Sequence, residues 1–185
     1  NCDWSSDVCS SDLIRRKPME RIRIIRNLTE ARALAEISKK LTVLSQIAKE
    51  LNRRQITWAI GASLLLYLKG MVQEFHDIDI MVAEADAEKA KKVLLSFGKL
   101  LPAGPKGQYK TKYFWEFDVD GVDIDMMAGF TIVHDGMDFY FPLEKEQIND
   151  YTEINGAVIP LQSLDEWRIY YKLMGRTDKI AIMDR

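Results

Sequence analysis

Three short patterns carry the chemistry-bearing residues of this chain: Gly61-Ala62-Ser63, Asp77-Ile78-Asp79 and Asp123-Ile124-Asp125. Residues two apart in a strand share a face, so each acidic pair directs two carboxylates the same way. A glycine turn opening a helix offers backbone N–H groups and a hydroxyl to a phosphate. The donors are oxygens of aspartate, with His76 and His134 the only imidazoles, which suits Mg²⁺ better than zinc. Mg²⁺ takes one or two carboxylates together with substrate phosphates. The patterns therefore read as a site for a metal-bound nucleoside triphosphate. His76 abuts Asp77, where it is either a phosphate contact or a strand-edge residue. Gly61-Ala62-Ser63 is neither a Walker A loop nor a dinucleotide fingerprint, and no Ser/His/Asp triad can be assembled.

Several elements must position these residues. Ile56, Trp58 and Ile60 alternate in a strand Gln55–Ile60, which the Gly61-Ala62 turn ends. Ser63 is expected to cap a short helix, Leu64–Lys69, with Gly70 closing it. Asp77–Ala83 reads as a second strand and Asp86–Phe97 as a helix ended by Gly98, the whole favouring neighbouring strands in one mixed sheet. Ahead of them, Asn27 with Glu30 predicts a helix start. Leu34, Ile37, Leu41, Leu44, Ala48 and Leu51 give that helix one apolar stripe.

Beyond a loop at Pro102–Gly107, Asp120-Gly121, Asp135-Gly136 and Asn155-Gly156 each separate β-prone runs, which predicts antiparallel hairpins. A two-residue turn at Asp120-Gly121 sets Asp118 opposite Asp123 and Glu116 opposite Asp125. Four carboxylates then crowd one face, although like charges directly opposite destabilise a sheet. Open water or a cation must compensate. Tyr113, Trp115 and Phe117 alternate and read as core rather than as a base-stacking platform. Ser163 with Glu166 forms a capping box for a helix Leu164–Met174, buried through Leu164, Trp167, Tyr171 and Met174. Arg168, Lys172 and Arg176 recur every four residues on another face.

Residues 2–13 (CDWSSDVCSSDL) back-translate to a string resembling a common sequencing adapter, so residues 1–13 are read as non-native and Met19 as the candidate initiator. That segment holds both cysteines, which removes disulfide, zinc-thiolate and cysteine-nucleophile chemistry from the rest. It also holds Asp3, Asp7 and Asp12 and no base, so the balance of 26 basic against 28 acidic residues becomes 26 against 25. Near neutrality gives no whole-molecule argument for nucleic acid or membrane. The basic stretch Arg15–Arg26 carries little weight beside that segment. The longest apolar stretch, Ala62–Leu68, is far short of the roughly 20 residues that span a bilayer. Residues 19–185 are expected to form a single cytoplasmic domain.

At these residues the chain resembles the DNA polymerase β-like nucleotidyltransferase superfamily in its small bacterial form. That signature is a hydrophobic residue with Gly-[Gly/Ser], then roughly ten residues, then Asp-h-[Asp/Glu]-h on the next strand and a third acidic residue on a later one. Ile60-Gly61-Ala62-Ser63 and Asp77-Ile78-Asp79-Ile80 supply the first two parts, with thirteen residues between Ser63 and Asp77. Asp125 is the choice for the third and Asp123 the competitor. Ala62 departs from the pattern, standing where the family often has Gly or Ser.

The resemblance implies an α/β (α+β) fold, a nucleotidyltransferase-like mixed β-sheet with flanking helices. It implies catalytic Asp77, Asp79 and Asp125, a Mg²⁺ site drawn from these and Asp123, and nucleotide contacts from Gly61, Ser63 and Lys172. The expected reaction moves a nucleoside monophosphate from an NTP, ATP in the first instance, to an acceptor hydroxyl. The acceptor is a small antibiotic-like molecule in some relatives, and RNA or protein in the toxins of toxin–antitoxin systems. The competing expectation is a non-catalytic nucleotide- or partner-binding module on a degenerate form of this fold.

Overall fold

Three two-residue turns organise the second half of the chain. Asp120-Gly121, Asp135-Gly136 and Asn155-Gly156 all hold positive φ at both positions, from 50° to 75°. This is the geometry that matches the twist of paired strands and that only Asn, Asp and Gly adopt at low cost. Each turn joins a hairpin: β4 (Tyr113–Val119) with β5 (Val122–Ala128), β6 (Phe130–His134) with β7 (Met137–Phe141), and β8 (Asp150–Ile154) with β9 (Ala157–Leu161). The β4–β5 register pairs Asp118 with Asp123 and Glu116 with Asp125, as the turn position requires.

The computed structural model describes residues 18–104 and 107–185, so the adapter-like segment lies outside the described residues. Two units are distinguished, Asn1–Ser38 and Lys39–Arg185. Helix α1 (Pro18–Arg53) begins in the first unit and ends in the second. It runs straight through Asn27, which corrects the expected start there: the flanking residues are helix formers, and no glycine or proline interrupts them after Pro18. Proline at the first helical position needs no amide partner. The expected stripe holds from Leu44 through Ala48 to Leu51, joined by Val43 and Ile47, all buried. Leu34, in the first unit, is 67% exposed.

In the second unit follow β1 (Trp58–Ile60), α2 (Ala62–Leu68), β2 (Ile78–Val82), α3 (Ala87–Leu95) and the two-residue strand β3 (Lys99–Leu100), ahead of β4. After β9 come α4 (Leu164–Leu173) and α5 (Thr177–Met183). A seven-stranded sheet runs β3-β4-β5-β2-β1-β9-β8, with β6–β7 as a separate ribbon. Two of its pairings, β2 with β5 and β1 with β9, are parallel and the rest antiparallel, which makes the sheet mixed. All five residues of β2 are buried, as a central strand covered on both faces requires.

Alternation sorts the two faces. Ile78 and Ile80 lie beside Ile124 and Met126, which in turn face Phe117 and Trp115. Helix α3 buries Ala87, Ala90, Val93 and Leu94, and its Lys91 Nζ lies 4.4 Å from the Trp115 ring centre. Phe117 is fully buried and Trp115 half-buried on this side, in keeping with a core role. The opposite face carries Asp79, Asp125 and Glu116 side by side. Among the described residues no helix is long and apolar enough to cross a membrane.

Candidate active site

Asp79 and Asp125 are direct neighbours in the parallel β2–β5 pairing. Asp77 precedes β2 by one residue and lies two before Asp79, so it faces the same way. One carboxylate oxygen from each of Asp77, Asp79 and Asp125 lies within 4.8 Å of the others. The convergence is geometric: a strand pair in register places two carboxylates abreast, and the period of two adds the third.

Asp123, the competitor for the third position, lies two residues before Asp125 on β5, is exposed, and stays outside this triad. Asp118, on the same face, instead accepts the Gly121 N–H at 3.0 Å and secures its own turn. Glu116 faces Asp125 across the hairpin and accepts the Gly104 N–H at 3.3 Å.

Burial sets the electrostatics. Asp79 is 9% exposed, and burial first, then the charges of Asp77 and Asp125, hold its carboxyl well above the usual range. Burial, with Asp77, Glu116 and Asp123 adding to it, pushes Asp125 up to about 7. Among the described residues none of the triad carboxylates has a basic partner in an ion pair. Three oxygen donors, one buried and two half-buried, short of positive charge, fit a hard divalent cation.

The turn next to this triad is gripped from several sides. Gly61 donates its N–H to the Asp79 carbonyl at 3.2 Å, and Gln162 donates its N–H to the Ile60 carbonyl at 3.0 Å. The Trp167 indole donates to Gln162 Oε1 at 2.8 Å and packs on Gly61. A Cβ at position 61 would stand 2.3 Å from Trp167 Cζ2 and 2.7 Å from Gln162 Oε1, so only glycine fits. Gly61, not Ser63, is the N-cap of α2, which starts at Ala62 with φ +47°. At the far end Gly70 and Met71 donate to the Tyr67 and Leu66 carbonyls, a Schellman closure at the expected glycine.

Freed from capping, Ser63 points its Oγ into a buried position without any hydrogen-bond partner. A buried hydroxyl left unpaired is costly, and a ligand oxygen would satisfy it.

A cleft of about 500 Å³ opens over this arrangement. Ser63, Asp77, Asp79, Glu116 and Asp125 line it, as do the aromatic rings of Tyr109, Phe114, Phe130, Trp167 and Tyr171. His76 also lines it, while Gly61 is withdrawn beneath Trp167. Lys172 is exposed on α4 and does not reach the cleft. Among the described residues, the cations on the cleft wall are Arg176 and Lys179. The four-residue repeat linking Arg168, Lys172 and Arg176 assumed a continuous helix, whereas α4 ends at Leu173 and Gly175 turns the chain at φ +71°. Arg176 then begins a new element, with its guanidinium paired to Asp178 at 3.2 Å. Arg168 joins Asp184 and the Met183 carbonyl and so pins the end of α5.

The Ser163 hydroxyl caps α4 through the Asp165 N–H at 3.2 Å. Its buried face is Trp167, Tyr170 and Tyr171, with Leu164 and Met174 only half-buried.

Residues 43–183 match the protein family described as Aminoglycoside-2''-adenylyltransferase. Among curated proteins no match is found. A crystal structure of a Thermotoga maritima protein assigned as a nucleotidyltransferase is similar at 26% identity and TM-score 0.62, covering 79% of this chain and 91% of that one. The crystal structure of ANT(2")-Ia with adenylyl-2"-tobramycin is similar at 11% identity and TM-score 0.53, covering 78% and 87%. The lincomycin-bound lincosamide antibiotic adenylyltransferase LnuA aligns at 15% identity and TM-score 0.50, covering 70% and 84%. The last two likenesses concern the fold.

Proposed function

The chain belongs to the aminoglycoside-2''-adenylyltransferase family and is a nucleotidyltransferase; from that premise we propose that it moves AMP from ATP, with Mg²⁺, to a hydroxyl of a polycationic, aminoglycoside-like small molecule. The observation that carries the proposal is the convergence of Asp77, Asp79 and Asp125 within 4.8 Å. Beside it stands the unpaired Ser63 hydroxyl.

A divalent cation held by the three carboxylates would neutralise phosphate oxygens and leave the α-phosphorus more open to attack. The Ser63 Oγ–H donates to a phosphate oxygen, alongside the first-turn amides of α2, which a helix leaves without internal partners. Arg176 and Lys179 face the β- and γ-phosphates and balance the charge of the departing pyrophosphate. Asp125, half-buried and drawn toward neutral pH, takes the proton of the acceptor hydroxyl. The hydroxyl oxygen forms the new bond to the α-phosphorus as the bond to the bridging oxygen breaks, and pyrophosphate leaves with that electron pair. Asp77 and Asp79 keep the reacting groups in line, and positioning of this kind supplies much of the rate.

The acceptor class follows from charge. Glu116 and Asp123 extend the acidic face past Asp125, so an acceptor bearing ammonium groups is favoured there and an RNA backbone repelled. The deciding assay is pyrophosphate release from ATP and Mg²⁺ with tobramycin, lincomycin or RNA as acceptor. Release with tobramycin, abolished in Asp79→Asn, is expected. ATP turnover with no dependence on any acceptor, or undiminished in Asp79→Asn, overturns the proposal.

A further inference from the structure

Asp77 is the one triad member outside the strand ladder: the first β2 pair is Ile78 with Ile124, and Asp77 precedes it. What fixes it must therefore come from the segment that delivers it, Gly70–His76. Within that segment His76 is exposed and Phe75 is 3% exposed, so Phe75 is the anchor. Its ring lies 5.0 Å from the Tyr67 ring of α2. Lys40 of α1 reaches the same residue twice. Its Nζ donates to the Phe75 carbonyl at 3.2 Å and stands 5.5 Å from the Phe75 ring centre. Lys40 is itself only 8% exposed, which is unusual for lysine, and a buried ammonium needs partners of this kind.

We propose that Lys40 is a positioning residue for the active site, fixing the Phe75 backbone and through it the Asp77 carboxylate at the distance the metal requires. The inference rests on the metal-centre reading above. A clamp two residues away from a ligand can act this strongly because a carboxylate misplaced by about 1 Å loses both coordination geometry and reaction alignment. Partners that orient a metal ligand typically govern about 10–100-fold in metal affinity. Lys40 differs from Arg176 and Lys179 in kind: it works from within the core and touches neither nucleotide nor acceptor.

The test uses the full chain with Mn²⁺ titrated in the presence of the non-transferable analogue adenosine 5′-(α,β-methylene)triphosphate. Bound metal is followed by electron paramagnetic resonance, and the Mg²⁺ midpoint of activity is measured in parallel. Lys40→Met keeps the length and apolar stem but removes the donor. Weakening of Mn²⁺ binding by about tenfold or more is expected, with a matching rise in the Mg²⁺ midpoint and an unchanged KM for the acceptor. Lys40→Arg, which keeps a donor, should recover most of the loss. Should Lys40→Met fail to fold, Lys40→Gln decides, because it removes the ammonium and shortens the reach to the Phe75 carbonyl while keeping a polar end. A folded variant with wild-type Mn²⁺ affinity overturns the role of Lys40. Absence of Mn²⁺ binding in the wild type overturns the metal centre itself, so the two failures are distinguishable.

Discussion

Replacing Asp125 by asparagine should stabilise the metal-free protein while removing its activity. Asparagine keeps the shape of the side chain and removes the charge that burial, Asp77, Glu116 and Asp123 oppose. A rise from 3.8 to about 7 corresponds to roughly 4 kcal/mol at about 1.4 kcal/mol per tenfold. The carboxylate is only half-buried, and solvent screening brings this down to about 1–2 kcal/mol.

The sign follows from linkage. The folded pKa lies above the unfolded one, so folding favours the protonated form. The penalty is absent below about pH 4, grows as pH rises, and is complete above about 7. In EDTA at pH 8, Asp125→Asn should therefore melt roughly 2–8 °C higher than wild type, at about 2–4 °C per kcal/mol for a chain of this size. At pH 4 the two should coincide. Saturating Mg²⁺ should reverse the order at pH 8, since a ligand at about 100 times its Kd adds about 2.7 kcal/mol to the protein that binds it. Thermal melts at both pH values, with and without metal, give all four quantities. Equal melting temperatures in EDTA at pH 8, or a variant that retains pyrophosphate release, would refute the reasoning.

Three further outcomes are expected. Gly61→Ala should cost about 1–3 kcal/mol by overpacking against Trp167 and Gln162, visible as a lower urea midpoint; an unchanged midpoint would mean the turn is looser than its contacts indicate. Ser63→Ala should raise the KM for ATP several-fold with stability unchanged or slightly higher, because it removes a buried hydroxyl that folding leaves unpaired. Arg176→Ala and Lys179→Ala should each raise the KM for ATP, whereas Lys172→Ala should leave it within experimental error. An effect of Lys172→Ala equal to theirs would restore the lysine that the family resemblance implies.

What could be read from the sequence divides by the range of the forces involved. The hairpins were legible with their register because Asp-Gly and Asn-Gly encode positive φ locally, at Asp120, Asp135 and Asn155 alike. Strand alternation is equally local and sets the carboxylates of each acidic pair on one face, but Asp125 is preferred to Asp123 through the resemblance, and its convergence with Asp77 and Asp79 depends on the β2–β5 pairing. Ser63 was misread as a cap because nothing local shows that Gly61 takes that place and Ala62 opens the helix in a left-handed conformation. Lys172 comes from the resemblance and lies exposed on α4, away from the cleft lining, whereas the helical repeat that joined it to Arg176 breaks at Gly175. Arg176, Lys179 and Phe114 went unnoticed as cleft residues, since their places depend on how α5 and β4 pack. Trp167 was recognised as buried, but its contact with Gly61 joins residues that no motif connects.

The parallel pairing of β2 with β5 also bears on how the chain reaches this state. The β4–β5 hairpin closes through a two-residue turn and needs no distant partner, whereas β2 must cross the chain to lie beside it, a non-local event of the kind that slows folding. The triad carboxylates meet only at that docking step, so their mutual repulsion falls on the approach of β2 and not on the hairpin. Refolding of the metal-free chain should therefore slow as the carboxylates ionise, and a divalent cation should speed it only if the cation is captured before β2 is seated. The order of assembly would then bring the catalytic carboxylates together only after their hairpin is in place.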